Sequence, residues 1–121
     1  MIKAIGHIAL TVSRIEEVVA ALCRAIGTPL PAIRDIPERK VKVALVEMGN
    51  LQLEILEDTS TDGFIARHTA AHGNAIHHFC LLSENLEMDL AALAEKGIPL
   101  MDHQPRIGVR GKRIAFISPE L

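Results

Sequence analysis

Apolar and polar positions along this chain switch between two periods, and the switching marks the elements. "IGHIALTV" at Ile5 is a short β-rich apolar run, the pattern of a buried strand. From Ser13 the spacing becomes helical, with Ile15, Val18, Val19, Leu22 and Ile26 forming one apolar stripe. Ser13 and Glu16 have the spacing of a capping box, and Gly27 supplies the stop. Three further strands are predicted near 31–36, 41–48 and 51–57, and "MGN" at Met48 turns the last two into a hairpin. The unit reads βαβββ.

The same order then returns. Shifting the chain by 71 residues lays Ala4 on Ala75, Ile5 on Ile76, His7 on His78 and Leu10 on Leu81. The match continues through Glu16/Glu87, Ala20/Ala91, Ala21/Ala92 and Leu22/Leu93. After a one-residue slip "GTPL" at Gly27 meets "GIPL" at Gly97, and "KVALV" at Lys42 lies over "RIAFI" at Arg113. Unrelated apolar segments share alanines and leucines, but seldom a histidine, a Gly-x-Pro-Leu and a strand in one order. The expected fold is therefore α+β, with two tandem βαβββ modules forming a cupped mixed sheet. Residues 1–58 make the first module, 59–74 a linker with a short helix at "GFIARHTAAH", and 75–121 the second. The equivalent of the strand near 51–57 would fall at about 122–127, so the second module is expected to be short of its last strand.

At 121 residues the chain is expected to form a single domain. It has no Trp or Tyr and only three Phe, so its core must be aliphatic. A net charge of −2 and the scarcity of aromatic rings argue against nucleic acid as a partner. No apolar run reaches the length of a membrane span and the N-terminus has no signal-peptide pattern, so no membrane partner is expected. Cys23 and Cys80 sit in apolar segments and read as reduced core residues, which suits a cytoplasmic protein.

The candidate chemistry follows from the repeat. In "LQLEIL" the side chains of Gln52 and Glu54 share one face, and a carboxylate between strand leucines asks for a cation beside it. His7 and His78 occupy equivalent places in the two copies and would be related by a pseudo-twofold axis. A lone histidine on an apolar strand is usually a core residue. The repeated position and the same-face Glu54 favour a site in which His7, Glu54 and His78 hold a divalent transition metal. His77 is expected to face away from His78, packed or bonded to backbone. His68 and His72 stand i,i+4 on the short helix, but Thr69 follows His68 where the zinc-protease motif carries Glu, so a solvated helix face is expected. His103 reads as a surface residue, and "RIGVRGKR" at Arg106 as a solvated basic hairpin.

The runs "GHIALTVSRIEE", "PERKVKVALVEMGNLQLEILE", "AIHHFCLLSENLE", "KGIPLMDHQPR" and "GKRIAFISPE" together resemble the methylmalonyl-CoA epimerase family of the vicinal oxygen chelate (glyoxalase, bleomycin resistance, dioxygenase) superfamily. The resemblance covers essentially the whole chain. It implies two βαβββ modules around one divalent metal, with ligands that map to His7, Glu54 and His78 and a fourth, a glutamate, near position 125. The metal could be Co, Zn, Ni, Mn or Fe. It also implies an isomerase that inverts the carbon between a thioester carbonyl and a carboxylate in a small acyl-CoA, through a metal-stabilised enolate and proton-transfer glutamates. One of those glutamates would fall at Val43, which cannot carry a proton, and Glu47, four residues along the same strand, is the candidate substitute.

Two other readings stay open. Two histidines and a carboxylate also describe a glyoxalase I-like lyase or an extradiol dioxygenase, although few aromatic side chains are present to stack an aromatic ring. A non-catalytic small-molecule binding protein on the same fold is the other, and such proteins generally lack the paired histidines. A homodimer is expected, because an unpaired strand edge beside Ile114–Ile117 and an aliphatic core of this size both favour association.

Overall fold

In the computed structural model, which describes residues 2–120, the elements run β1 (Ile2–Thr11), α1 (Ile15–Ile26), β2 (Arg34–Ile36), β3 (Val41–Met48), β4 (Leu51–Asp58), α2 (Phe64–His72), β5 (Ala75–Ser83), α3 (Leu86–Glu95), β6 (Arg106–Ile107) and β7 (Arg113–Ile114). The fold is mixed α+β, as the repeat implied. A five-stranded sheet has the order β2-β3-β4-β1-β5, with β1 parallel to β4 and β4 antiparallel to β3. The chain divides into two compact units, one spanning Ile5–Leu81 and the other formed by the remaining residues at both ends.

In the Ile5–Leu81 unit strand alternation sorts the side chains onto two faces. Val12, Ala44, Val46 and Ile55 join Ile15, Val19 and Cys23 of α1 in a buried aliphatic cluster, with Leu10, Val18, Leu22 and Leu53 packed around it. Ile26, the last residue of the predicted stripe, is exposed instead, because it ends the helix where Gly27 turns left-handed at φ 72°. The opposite sheet face carries a row of polar side chains, His7, Gln52, Glu54 and Glu47. The hairpin at Gly49 joins Met48 to Leu51, and a φ of 67° at its first residue is the type II′ pattern.

The start of α1 departs from the capping-box expectation. Arg14 is the cap residue and its side chain makes no cap bond. The first helical N–H, of the fully buried Ile15, donates to Glu57 Oε1 at 2.8 Å, while the Ser13 N–H donates to Asn74 Oδ1 at 3.0 Å. Glu16 instead pairs with Lys42 across 3.1 Å. A carboxylate from β4 thus does what the local sequence could not, satisfying an orphan donor and complementing the helix dipole. β2 is shorter than predicted because only Arg34–Ile36 finds partners on β3.

The linker is ordered around Asp58. Its Oδ1 accepts from the Ser60 N–H and hydroxyl, and its Oδ2 accepts from the Ala66 N–H at 3.0 Å in the first turn of α2. Burial acts to raise the Asp58 pKa, but these hydrogen bonds outweigh it and hold the carboxyl below its ordinary value. A side chain at Gly63 would run into the same carboxylate.

In the other unit Asn85 Oδ1 caps α3 by accepting from the Met88 N–H at 3.1 Å, and Leu90 is its buried residue. The strand expected over Arg113–Ile117 is broken: β7 pairs with β6 for two residues, and Ile117 bridges to Leu100. The basic hairpin is tied to residues on either side of it. Arg106 lies over the Phe116 ring at 5.1 Å and pairs with Asp102, and Arg113 pairs with Glu87. His103 is exposed, as expected. Among the described residues no helix is long and apolar enough to cross a membrane.

Replacing Glu57 by Ala should lower folding stability by about 1–2 kcal/mol, since a buried N–H loses its acceptor. The urea unfolding midpoint of that variant reads the loss, and an unchanged midpoint would mean that Glu57 does not cap α1.

Candidate metal centre

The parallel pairing of β1 with β4 decides the geometry. His7 sits opposite Gln52 and Ala9 opposite Glu54, so Glu54 reaches diagonally past the small Ala9 side chain towards His7. The His7 Nε2 and Glu54 Oε1 atoms stand 3.6 Å apart, and Glu54 is only 4 % exposed. From β5, the neighbour of β1 on its other side, His78 points its Nε2 to within 3.4 Å of His7 Nε2, with the rings edge-on at 74°. One ligand atom from each of His7, Glu54 and His78 thus lies within 4.8 Å of the others. Among the described residues this is the one such group of three.

Electrostatics suit the same chemistry. Burial, then the neighbouring His77, push the His78 pKa down to about 4 against an attractive effect of Glu54, so at neutral pH its ring is uncharged and has a lone pair to give. A buried carboxylate facing uncharged imidazole is an arrangement that a divalent cation balances. Two imidazole nitrogens and one carboxylate oxygen match the donor set of zinc and of the neighbouring first-row metals. The residues present therefore fit a divalent metal.

Glu47 lies on the same face in the row His7, Gln52, Glu47, which runs across β1, β4 and β3. It is exposed, and its Oε1 accepts from Gln52 Nε2 at 2.7 Å. Val43 is buried in the row with Leu56 and has no proton to exchange.

The histidines outside this triad are placed differently from the sequence reading. α2 packs on β4 with Ile65 buried, and His68, one turn further on, shares that inward side. His68 is half-buried, and its Nδ1 lies 2.7 Å from the hydroxyl of the fully buried Thr11, while His72 stays exposed. The solvated face expected for the pair is therefore half right, because the helix is pressed against the sheet. His77 is packed, against His68 and Phe64, but its polar partner is the adjacent ring: His77 Nδ1 meets His78 Nδ1 at 2.7 Å. Nothing in the strand alternation signalled that contact. The i,i+4 spacing of His68 and His72 did signal a shared helix face.

The βαβββ order of β1 to β4, with β5 added to the same sheet, defines a glyoxalase-like fold. The chain belongs to the glyoxalase/bleomycin resistance protein/dioxygenase superfamily, whose family model matches residues 6–116. It is similar to the uncharacterized protein YqjC of Bacillus subtilis, with 31 % identity over 115 residues covering 95 % of this chain and 82 % of that one. It is also similar to the mitochondrial methylmalonyl-CoA epimerase of Bos taurus, at 29 % identity over 95 % of this chain and 66 % of the relative. Among solved structures, a hypothetical protein from Bacillus halodurans C-125 superposes with a TM-score of 0.88 at 28 % identity, covering 97 % of this chain and 85 % of that one. Methylmalonyl-CoA epimerase from Streptomyces coelicolor, in complex with 2-nitronate-propionyl-CoA, superposes with a TM-score of 0.86 over 99 % of this chain and 88 % of its own. At 24 % identity that likeness speaks for the fold.

The depressed His78 pKa has a consequence for folding. In the window from 6.5 down to about 4 the unfolded chain binds a proton at this position and the folded chain does not. Stability of the metal-free protein should therefore be full above pH 6.5 and fall as the pH drops towards 4. Urea midpoints across that range test this, and His78→Asn should flatten the slope. An equal slope in the variant would assign the titration elsewhere.

Proposed function

We propose that this chain is a metal-dependent isomerase that exchanges the α-proton of a small acyl-CoA, in the manner of the methylmalonyl-CoA epimerases. The observation that carries the proposal is the meeting of His7, Glu54 and His78 within 4.8 Å on one sheet face. The bovine relative and a solved structure holding methylmalonyl-CoA support the choice of substrate class. The chain spans 66 % of that relative's length.

In this reading His7, Glu54 and His78 hold one divalent metal. When bound, it supplies Lewis-acid polarisation of the substrate's carbonyl and carboxylate oxygens. Glu47, whose exposure leaves it open to substrate, takes the α-proton from one face, and inversion is completed by a proton delivered from solvent to the opposite face of the enolate. Gln52, donating to Glu47 Oε1, fixes that carboxylate's orientation and leaves the second oxygen for the proton. The buried valines and Leu56 beyond this row form a dry wall that strengthens the electrostatics of the polar file. The protein is proposed to act in the cytoplasm as a homodimer. Exposed Ile76, Phe79 and Leu82 on the edge strand β5 support association.

Full-length protein should bind one equivalent of metal, and His78→Ala should lose it while keeping its fold by circular dichroism. With metal loaded, hydrogen at the α-carbon of methylmalonyl-CoA should exchange in D2O, and Glu47→Gln should slow that exchange by roughly 10²–10⁴-fold. Stoichiometric metal without exchange would redirect the assignment to glyoxalase I-like or dioxygenase chemistry. Absence of metal would leave a small-molecule binding protein. Sedimentation at micromolar concentration should show a dimer, and a monomer there would remove that part of the proposal.

A further inference from the structure

Five of the six histidines touch one another in a chain that runs from the metal site into the linker helix. From His7 and His78 the contacts pass to His77, then to His68, and finally to the exposed His72, whose ring lies 4.6 Å from that of His68. The link of most consequence is between adjacent residues. His77 Nδ1 and His78 Nδ1 are 2.7 Å apart, a hydrogen-bond distance that requires one ring to donate and the other to accept.

We propose that His77 is a positioning residue for the metal ligand His78, accepting its Nδ1–H so that the proton stays off Nε2, and that α2 serves as the wall holding His77 in place. The inference rests on the metal reading above. The direction of the bond follows from it. His78 presents Nε2 to His7 and Glu54, and a neutral imidazole that offers Nε2 as a ligand carries its proton on Nδ1. That proton then points at His77 Nδ1, which must be the bare nitrogen of its ring, leaving the His77 proton on Nε2. A partner on the far ring nitrogen fixes both the tautomer and the orientation of a metal-binding histidine.

His77 cannot hold this pose unaided, because strand alternation alone would swing it to the other face. Its ring is pinned edge-on against His68 at 4.7 Å and against Phe64 at 5.7 Å. His68 is in turn bonded to the buried Thr11 hydroxyl on β1. The linker helix, which the repeat leaves without a counterpart, thereby acquires a purpose. It returns to the strand that bears His7 and braces the strand that bears His78.

The test uses full-length, histidine-¹⁵N-labelled protein without metal, in which long-range ¹H–¹⁵N correlation reads each ring's tautomer. The expected pattern is His78 protonated on Nδ1 and His77 on Nε2. A His78 carrying its proton on Nε2, or an equal mixture, overturns the proposal. Zinc affinity, measured with a competing chelator, gives the second readout. His77→Leu keeps the bulk but removes the acceptor and should weaken zinc by about 10–100-fold. His77→Asn returns an amide oxygen to the Nδ1 position and should restore affinity to within about threefold of wild type, on the same bonding argument. If His77→Leu binds zinc as tightly as wild type, or His77→Asn as weakly as His77→Leu, His77 is packing alone and the proposal fails. Failure of the wild-type protein to bind zinc at all strikes the metal reading instead, and the tautomer measurement still decides the bond between the two rings.

Discussion

The burial of one carboxylate governs the rest of this structure. Glu54 sits in a β4 strand paired on both sides, among leucines and beside the small Ala9, where water cannot solvate it. A buried negative charge is tolerated only where the surrounding polar groups are arranged to meet it. Here the arrangement is set by backbone register, since the parallel β1–β4 pairing fixes which residue of β1 comes next to Glu54. A slip of one residue would carry His7 to the aliphatic face and Leu10 or Ile8 to the polar one.

The two faces of the sheet are therefore under different demands. The α1 face is an aliphatic cluster, and Ile15, Val19 and Cys23 supply its helix side. The other face gives up part of its apolar burial to carry His7, Gln52, Glu54 and Glu47. α2 packs against β4, where Ile65 and Leu56 are buried. The family membership and the similarity to methylmalonyl-CoA epimerases fit a protein built on that division.

Much of this was legible along the chain, and the exceptions have physical reasons. The repeat drew attention to His7 and His78, whose Nε2 atoms lie 3.4 Å apart, and strand parity pointed to Glu54 beside them. Hairpin, helix stripe and left-handed Gly27 followed from local preferences of a few residues each. Tertiary partners were not legible. Ser13 and Glu16 spell a capping box, yet Glu57, distant in sequence, reaches the helix start first and frees Glu16 for Lys42. His68 and His72 spell a solvated pair, yet packing of α2 on the sheet takes one inward to Thr11. The contact between the His77 and His78 rings runs against simple alternation, and the rings that pack on His77, Phe64 and His68, come from a helix distant in sequence.

On the proposed reading, sheet register gathers two imidazoles and one carboxylate into a single metal site. X-ray absorption at the zinc edge of zinc-loaded, full-length protein examines that donor set directly. His7, Glu54 and His78 as ligands should give a nearest shell of nitrogen and oxygen alone, with the multiple-scattering signature of two imidazoles. A shell containing sulfur, or a signature of one imidazole or none, would contradict it.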